Sequence, residues 1–211
     1  MSKGIFVSFE GLDGSGKSTQ ISFLREYLES RGLDTAFFRE PGGTAIGEKL
    51  RTIILDKDNA EMTDNAEALL YAASRTQLIN EEIKPALDAG ETVICDRYVD
   101  SSIAYQAYGR GLGDFVRDIN KDAIENCMPD LTFFIDLKPG EGRKRIEKTG
   151  AQLDRLESEN NDFHTRVYEG YMAIAEDEPE RFVVIDGMRE REEIFADIKL
   201  AIDKLLENRG L

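Results

Sequence analysis

Five short runs of apolar and β-branched residues recur along the chain, at residues 5–9, 35–39, 92–95, 131–135 and 182–185. Each stops at a charged or glycine-bearing position: Glu10-Gly11, Arg39-Glu40-Pro41-Gly42-Gly43, Asp96-Arg97-Tyr98, Asp136 and Asp186-Gly187. Such continuous runs predict strands buried on both faces. Between them the apolar spacing is helical. Residues 19–31 place Ile21, Leu24 and Leu28 on one side, with Gly32 at the stop. The longest helix is expected from Asp64, an N-cap with Glu67 three residues on, with Leu69, Leu70, Ala73, Ile79, Ile83 and Leu87 on its inner face. Another should run from Asp114 to Cys127, stopped by Pro129. A helix starting at Asn161 or Asp162 turns Phe163, Val167, Tyr171 and Ile174 inward; a last one, from about Glu190, carries Ile194, Ile198 and Leu205 and reads as purely structural. Strand and helix alternating in this way predict an α/β fold with a parallel five-stranded sheet covered on both faces. Ligands in such sheets bind at the carboxyl ends of the strands, where the glycines and charges cluster.

The first strand leads into Gly11-Leu12-Asp13-Gly14-Ser15-Gly16-Lys17-Ser18, followed by Thr19 and a helix. This fits G-x-x-x-x-G-K-[ST] at every fixed position, in the strand–loop–helix context that the phosphate-cradling loop requires. Backbone N–H groups would hold the phosphates, Lys17 would reach the β- and γ-phosphates, and the Ser18 hydroxyl would sit on Mg²⁺. Other positions are less specific. By spacing alone Tyr71 is a half-buried aromatic and Arg75, one turn later, a solvated partner of some acid. Residues 100–111 combine Ser101, Ser102, Tyr105, Gln106 and Tyr108 directly after Asp96-Arg97, which suggests a pocket wall. From 140 to 159 Arg143, Lys144, Arg145, Lys148 and Arg155 alternate with acids. Charge runs are usually solvated helix-loops, but the position after the fourth strand supports a mobile flap over the phosphates.

Composition narrows the partners. The 211 residues suit one domain, with no linker, repeat or low-complexity tract. A net charge of −15 argues against nucleic acid or an anionic membrane as main partner, so a small anionic ligand must be held by a few local cations. Cys95 and Cys127 suit reduced thiols in the cytosol. No apolar run is long enough to span a bilayer, and the early first strand leaves no room for a signal peptide, so a cytoplasmic protein is expected. His164, the single histidine, lies in a charged stretch and reads as solvated, which removes histidine-rich metal sites.

The P-loop, Arg39-Glu40-Pro41-Gly42-Gly43, Tyr71-x-x-x-Arg75, Asp96-Arg97-Tyr98, Ala104-Tyr105-Gln106 and Leu153-Asp154-Arg155-Leu156-Glu157 occur in this order. With them the chain resembles the thymidylate kinase family from end to end. The resemblance implies transfer of the γ-phosphoryl group of ATP to dTMP, with Mg²⁺, for dTTP biosynthesis, and a homodimer. It puts Arg97 on the acceptor phosphate with Glu40, Pro41 and Arg51 nearby. Asp13 would lie near the sugar 3′-hydroxyl and the metal, for which Ser18, Asp13 and Asp96 are the candidate residues. Tyr71 would stack on thymine where relatives often have phenylalanine. Arg75 and Gln106 would read the base edge, Arg75 at O4 and Gln106 at N3–H, helped by Ser101 or Ser102; Tyr105 would lie near C2′ of the sugar. Some relatives carry arginine inside the P-loop, where this chain has Gly14. The catalytic cation should then come from the flap, from Arg143, Arg145, Lys148 or Arg155, with Arg155 the first choice because it lies in the matched string.

A phosphate monoester has a second pKa of about 6, so the acceptor is already a nucleophile at neutral pH and needs no general base. Cancelling charge repulsion between two polyanions is the main task, shared by Lys17, Mg²⁺, Arg97 and a flap cation. A kinase for another nucleoside monophosphate is the alternative; a nucleoside acceptor would need a base such as Glu10 or Asp96. Asn120-Lys121-Asp122-Ala123 lacks the aspartate that a guanine-reading N-K-x-D requires and falls in a helical pattern, which excludes a GTP switch. A P-loop retained for partner binding alone is disfavoured by intact Lys17, Ser18 and Arg97.

Overall fold

The computed structural model describes residues 4–149 and 154–210, with Lys148 and Thr149 described through their backbone alone. Five parallel strands form one sheet in the order β2-β3-β1-β4-β5: β1 Phe6–Glu10, β2 Thr35–Arg39, β3 Thr92–Asp96, β4 Leu131–Asp136 and β5 Phe182–Asp186. Side chains alternate across a strand, and β1 uses this to separate two environments. Val7 and Phe9 enter an apolar core with Leu24 and Leu28 of helix α1 (Lys17–Ser30) and Ile194, Ile198 and Ile202 of α10 (Arg191–Arg209). Phe6, Ser8 and Glu10 point the other way. There Phe6 joins a core with Leu78, Ile79 and Ile83, while the hydroxyls of Ser8 and Thr132 meet at 2.8 Å and Thr132 reaches Asp100 at 3.2 Å. A buried polar seam thus runs beneath the strand ends on that side.

Helix α2 spans Ala45–Leu55. The longest helical stretch joins α3 (Asp64–Leu78), a π-helical turn (Ile79–Ile83) and α4 (Lys84–Ala89). Its N-cap is Thr63, whose hydroxyl accepts from the Ala66 N–H, so Asp64 is the first helical residue instead of the cap. The expected inner face holds only in part. Ile79, Ile83 and Leu87 are buried, but Leu69 is 49% exposed and Ala73 faces outward; Glu67, Ala68, Ala72 and Arg75 occupy the inside. Buried positions four apart from Ile79 to Leu87 drift off one face of a 3.6-residue helix, and the wider π turn absorbs that drift. A second π segment, Ile103–Gly109, continues α5 (Val99–Ser102). The expected helix to Cys127 is two, α6 (Asp114–Ile119) and α7 (Lys121–Asn126), broken at the buried Asn120. Helices α8 (Glu141–Thr149) and α9 (Asn161–Asp177) follow, and α9 turns Phe163, Val167, Tyr171 and Ile174 inward as its spacing predicts. Among the described residues no helix is long and apolar enough to cross a membrane.

Candidate active site

A cleft of about 860 Å³ opens at the carboxyl ends of β1, β2 and β3, within the size range of small-ligand sites. One wall is the P-loop. Gly16 caps α1 with φ 101°, a left-handed conformation that glycine adopts without strain. The start of α1 leaves backbone N–H groups without helical partners, and Lys17 lies beside them, its ammonium donating to the Gly11 carbonyl at 3.1 Å. Burial and the nearby Arg97 lower the Lys17 pKa, opposed by Asp96 and Asp13.

Arg97 sits opposite, just past β3, with φ 68°, an uncommon left-handed backbone for a residue with a side chain. Its N–H donates to the Phe9 carbonyl at 2.9 Å, which ties it to β1. The guanidinium donates to Asp13 Oδ1 at 2.6 Å and, through Nη1, to the Ser101 and Tyr171 hydroxyls at 3.2 Å each. Burial alone would raise the Asp13 pKa; Arg97 and Lys17 hold it below the usual carboxylate range. Behind Arg97 lies Glu10, fully buried, which accepts from the Tyr98 N–H and from the hydroxyls of Ser101 and Tyr171. Burial, with Asp100 nearby, pushes Glu10 up to about 7. Sequence reading did not connect Glu10 or Tyr171 to Arg97: Glu10 ends β1 whereas Arg97 follows β3, and Tyr171 lies 74 positions further on. The strand order supplies the connection, because it sets β1 beside β3.

The third wall comes from β2, α2, α3 and the π segment after α5. Tyr71 is half-buried there, and Arg51 donates to the Pro41 carbonyl at 3.0 Å. Arg75 is not the solvated residue that its spacing suggests: it is 1% exposed. All five of its N–H groups are committed, to Glu40 at 2.8 and 2.5 Å, the Ser102 hydroxyl at 3.0 Å, Asn120 at 2.6 Å and the Tyr98 carbonyl at 3.2 Å. It borders the cleft, but it reaches a base only by sharing one of those bonds. Gln106 borders the cleft too, its amide nitrogen donating to Glu67 at 2.9 Å. Glu67, read locally as half of a capping box, is instead a buried acid that binds Arg110 and Arg155. Glu67, Tyr71 and Arg75 recur every four residues, a helical stripe that could have flagged it.

The flap meets the P-loop through glycines. A Cβ on Gly14 would lie 2.4 Å from the Gly142 carbonyl oxygen of α8, and a Cβ on Gly142 would lie 1.9 Å from that of Asp13. A P-loop arginine at position 14 is therefore incompatible with this seating, and among the described residues the flap cation that borders the cleft is Arg145. Its Nη2 donates to the Gly187 carbonyl at 3.0 Å and its Nη1 lies 3.5 Å from the Gly14 carbonyl, inside the cleft. Arg155 is a correction: its Nε donates to the Ile54 carbonyl at 2.8 Å and its Nη2 pairs with Glu67 at 2.7 Å, so Asp154, Leu156 and Glu157 border the cleft and Arg155 does not. Arg143 pairs with Glu147 on the exposed side. The side chain of Lys148 lies outside the described residues. Arg145→Ala is expected to lower kcat at least about tenfold with acceptor binding unchanged, and Arg155→Ala to lower the melting temperature with kcat retained. Steady-state kinetics beside thermal melts check both, and the reverse pattern would restore Arg155.

The last helix also needs correcting. Met188, Arg189, Glu190 and Arg191 border the cleft at the start of α10, which is therefore not purely structural. His164 is half-buried, beside a small hollow next to Asp13, and burial lowers its pKa. Asp96 Oδ1 and Ser15 Oγ are buried, and neither has a hydrogen-bond partner among the described residues. The hydroxyl of Ser18 and the carboxylate of Asp96 are hard oxygen donors, which suits Mg²⁺, an ion that keeps several waters and takes much of its coordination from phosphates. Asp13 is engaged by Arg97 instead.

A sequence profile described as thymidylate kinase matches residues 9–198. The chain belongs to the thymidylate kinase family. Thymidylate kinase from Thermoanaerobacter sp. strain X514 is 50% identical over 205 residues, covering 97% of this chain and all of that protein. The thymidylate kinase of Caldanaerobacter subterraneus subsp. tengcongensis is 47% identical over 206 residues, with 97% and 98% covered, and that of Geobacillus sp. strain WCH70 is 46% identical over 209, with 98% and 100% covered. Thymidylate kinase family membership thus extends over nearly the whole fold, flap included. Asn120, within the N-K-x-D-like string, binds Arg75 and the Val116 carbonyl, which leaves it no part in reading guanine.

Proposed function

We infer that the chain transfers the γ-phosphoryl group of ATP to dTMP, giving ADP and dTDP. The observation that carries this is the convergence of two anion-binding centres, Lys17 with the P-loop and Arg97, in one cleft of a thymidylate kinase family member. Arg97 receives the acceptor phosphate, Tyr71 stacks on the base, Tyr105 stands beside the sugar, and Arg145 meets the transferring group. Glu40 and Pro41 act indirectly, Glu40 by holding Arg75 and Pro41 by holding Arg51. Ser18 and Asp96 would hold Mg²⁺, which when bound neutralises charge on the phosphate oxygens. No base is needed for a phosphate acceptor. Of the two carboxylates that a nucleoside hydroxyl could use, Glu10 is sealed behind Arg97 and does not border the cleft, whereas Asp96 does, so thymidine belongs in the substrate panel.

The test is ADP release with ATP and Mg²⁺ across dTMP, dUMP, dCMP, UMP and thymidine. The expected order is dTMP over dUMP, the missing methyl being worth about 1–3 kcal/mol, with both well above the rest. Equal use of dCMP or thymidine overturns the reading. We also propose a cytoplasmic homodimer. Ile46 and Ile53 of α2 and Leu69 of α3 are each 45–51% exposed on two helices packed together, an apolar surface that a second copy would cover. A monomer in sedimentation at micromolar concentration would refute the dimer.

A further inference from the structure

Thymine and 5-methylcytosine have nearly the same outline and opposite hydrogen-bond polarity at N3, a donor in the first and an acceptor in the second. A glutamine facing that edge can serve either base, because a half-turn of its amide exchanges oxygen for NH₂. It selects only if something stops the turn. Gln106 borders the cleft and is 1% exposed. Its Nε2 donates to Glu67 Oε1 at 2.9 Å, and among the described residues its Oε1 makes no hydrogen bond. Glu67 is fully buried and lies outside the cleft, held also by Arg110, at 2.9 Å to Oε2 and 3.3 Å to the Oε1 it shares with Gln106, and by Arg155 at 2.7 Å to Oε2. Burial alone would raise its pKa, but Arg110 and the other donors hold it below the usual carboxylate range. An ionised carboxylate only accepts. The NH₂ end of Gln106 is therefore the one end that can meet it, and a turned amide would set two acceptor oxygens against each other.

We propose that Glu67 is a positioning residue for base selection: it locks the Gln106 amide so that the carbonyl is the end left for the base, accepting N3–H and refusing a ring whose N3 carries no proton. This rests on dTMP being the acceptor. Arg110 and Arg155 keep the lock charged, so a flap residue contributes to base choice without touching the base.

The experiment compares kcat/KM for dTMP and for 5-methyl-dCMP, which keeps the methyl group and inverts the polarity. Glu67→Gln puts there an amide that both donates and accepts, which frees Gln106 to turn. The dTMP to 5-methyl-dCMP ratio should fall at least about tenfold from wild type. Adding Gln106→Glu, an acceptor-only side chain held by the NH₂ of the newly introduced amide, should raise it again. A structural role alone lowers both substrates equally, and that result overturns the assignment. If Glu67→Gln does not fold, Glu67→Asp keeps the charge for the arginines while drawing back from Gln106, and the same fall is expected; an unchanged ratio there is equally fatal. Wild-type protein that does not turn over dTMP removes the acceptor reading itself, whereas a dTMP kinase with an unmoved ratio removes only the role of Glu67.

Discussion

Replacing Arg97 with alanine is expected to lower kcat/KM for dTMP by about a thousandfold or more, the scale on which a single cation acts in phosphoryl transfer. The loss should fall on both kcat and KM, because Arg97 both holds the acceptor and offsets charge as the phosphoryl group moves. The fold should survive: Arg97 lies at a strand end, and several of its partners are hydroxyls that can bind water. Its neighbours make the effect specific. Without the guanidinium, Asp13 loses its ion pair and presents an unopposed negative charge to an incoming dianion, which adds repulsion to the missing attraction. Lys17→Ala should be of similar size but register in ATP use, with dTMP affinity little changed. Initial rates over a grid of both substrates separate the two, and near-normal kcat/KM for dTMP in the Arg97 variant would remove it from the acceptor site.

The second large effect is on stability. Arg75→Ala should destabilise the protein by about 3–5 kcal/mol, the cost of stripping one partner from a buried ion pair. Total stabilities are only about 5–15 kcal/mol, so the variant should melt far below wild type. Glu40, 5% exposed, would be left without its cation, Asn120 and Ser102 would each lose a donor, and the ring of Tyr98, 5.5 Å from the guanidinium, would face a void. The pH dependence gives a sharper check. Burial pushes Glu40 up to about 7 even with Arg75 pulling it down. A carboxyl raised in the folded state contributes stability that is full below its unfolded pKa and declines as pH rises through the folded value. Wild type stops losing stability from this group above about 7, where the charged pair forms; the variant has no such pair and goes on losing. The gap in melting temperature should therefore be wider at about pH 8.5 than at about pH 6. A gap that is constant or shrinks with pH would mean that Glu40 does not carry the effect.

What the sequence made legible was whatever a local rule determines. Continuous apolar runs placed all five strands to within a residue or so, because a strand buried on both faces has little freedom in composition. The P-loop was legible because its glycines and lysine must be contiguous. Misreadings came where a local pattern had two physical uses. Glu67 fits a capping box, yet its partners lie 39 and 43 positions away, and they turned the polar side of α3 inward and left Leu69 outside. Arg155 sits in the most recognisable string of the flap, but neighbours within that string face opposite ways, and the position alone could not say which side it took. Arg75 shows the limit most plainly: a charged residue one turn from an aromatic is usually solvated, and only the tertiary fold brings Glu40, just past β2, and Asn120, between α6 and α7, to it.

The π segment from Ile103 to Gly109 bears on how this protein can change over generations. Its wide turn sets the adjacent Tyr105 and Gln106 both against the cleft, and six of its seven residues are buried. A wide turn of this kind amounts to a helix holding one residue more than its geometry calls for. Removing one residue would leave a perfectly good helix, but everything beyond it would rotate by about 100°, carrying Arg110 off Glu67 and Gly109 away from Phe163 and Val167 of α9. A single side-chain exchange here disturbs one residue's contacts, whereas a change of length breaks several pairings at once. The geometry thus penalises an insertion or deletion in this stretch more heavily than a substitution, so the gene must keep here a count as much as a spelling.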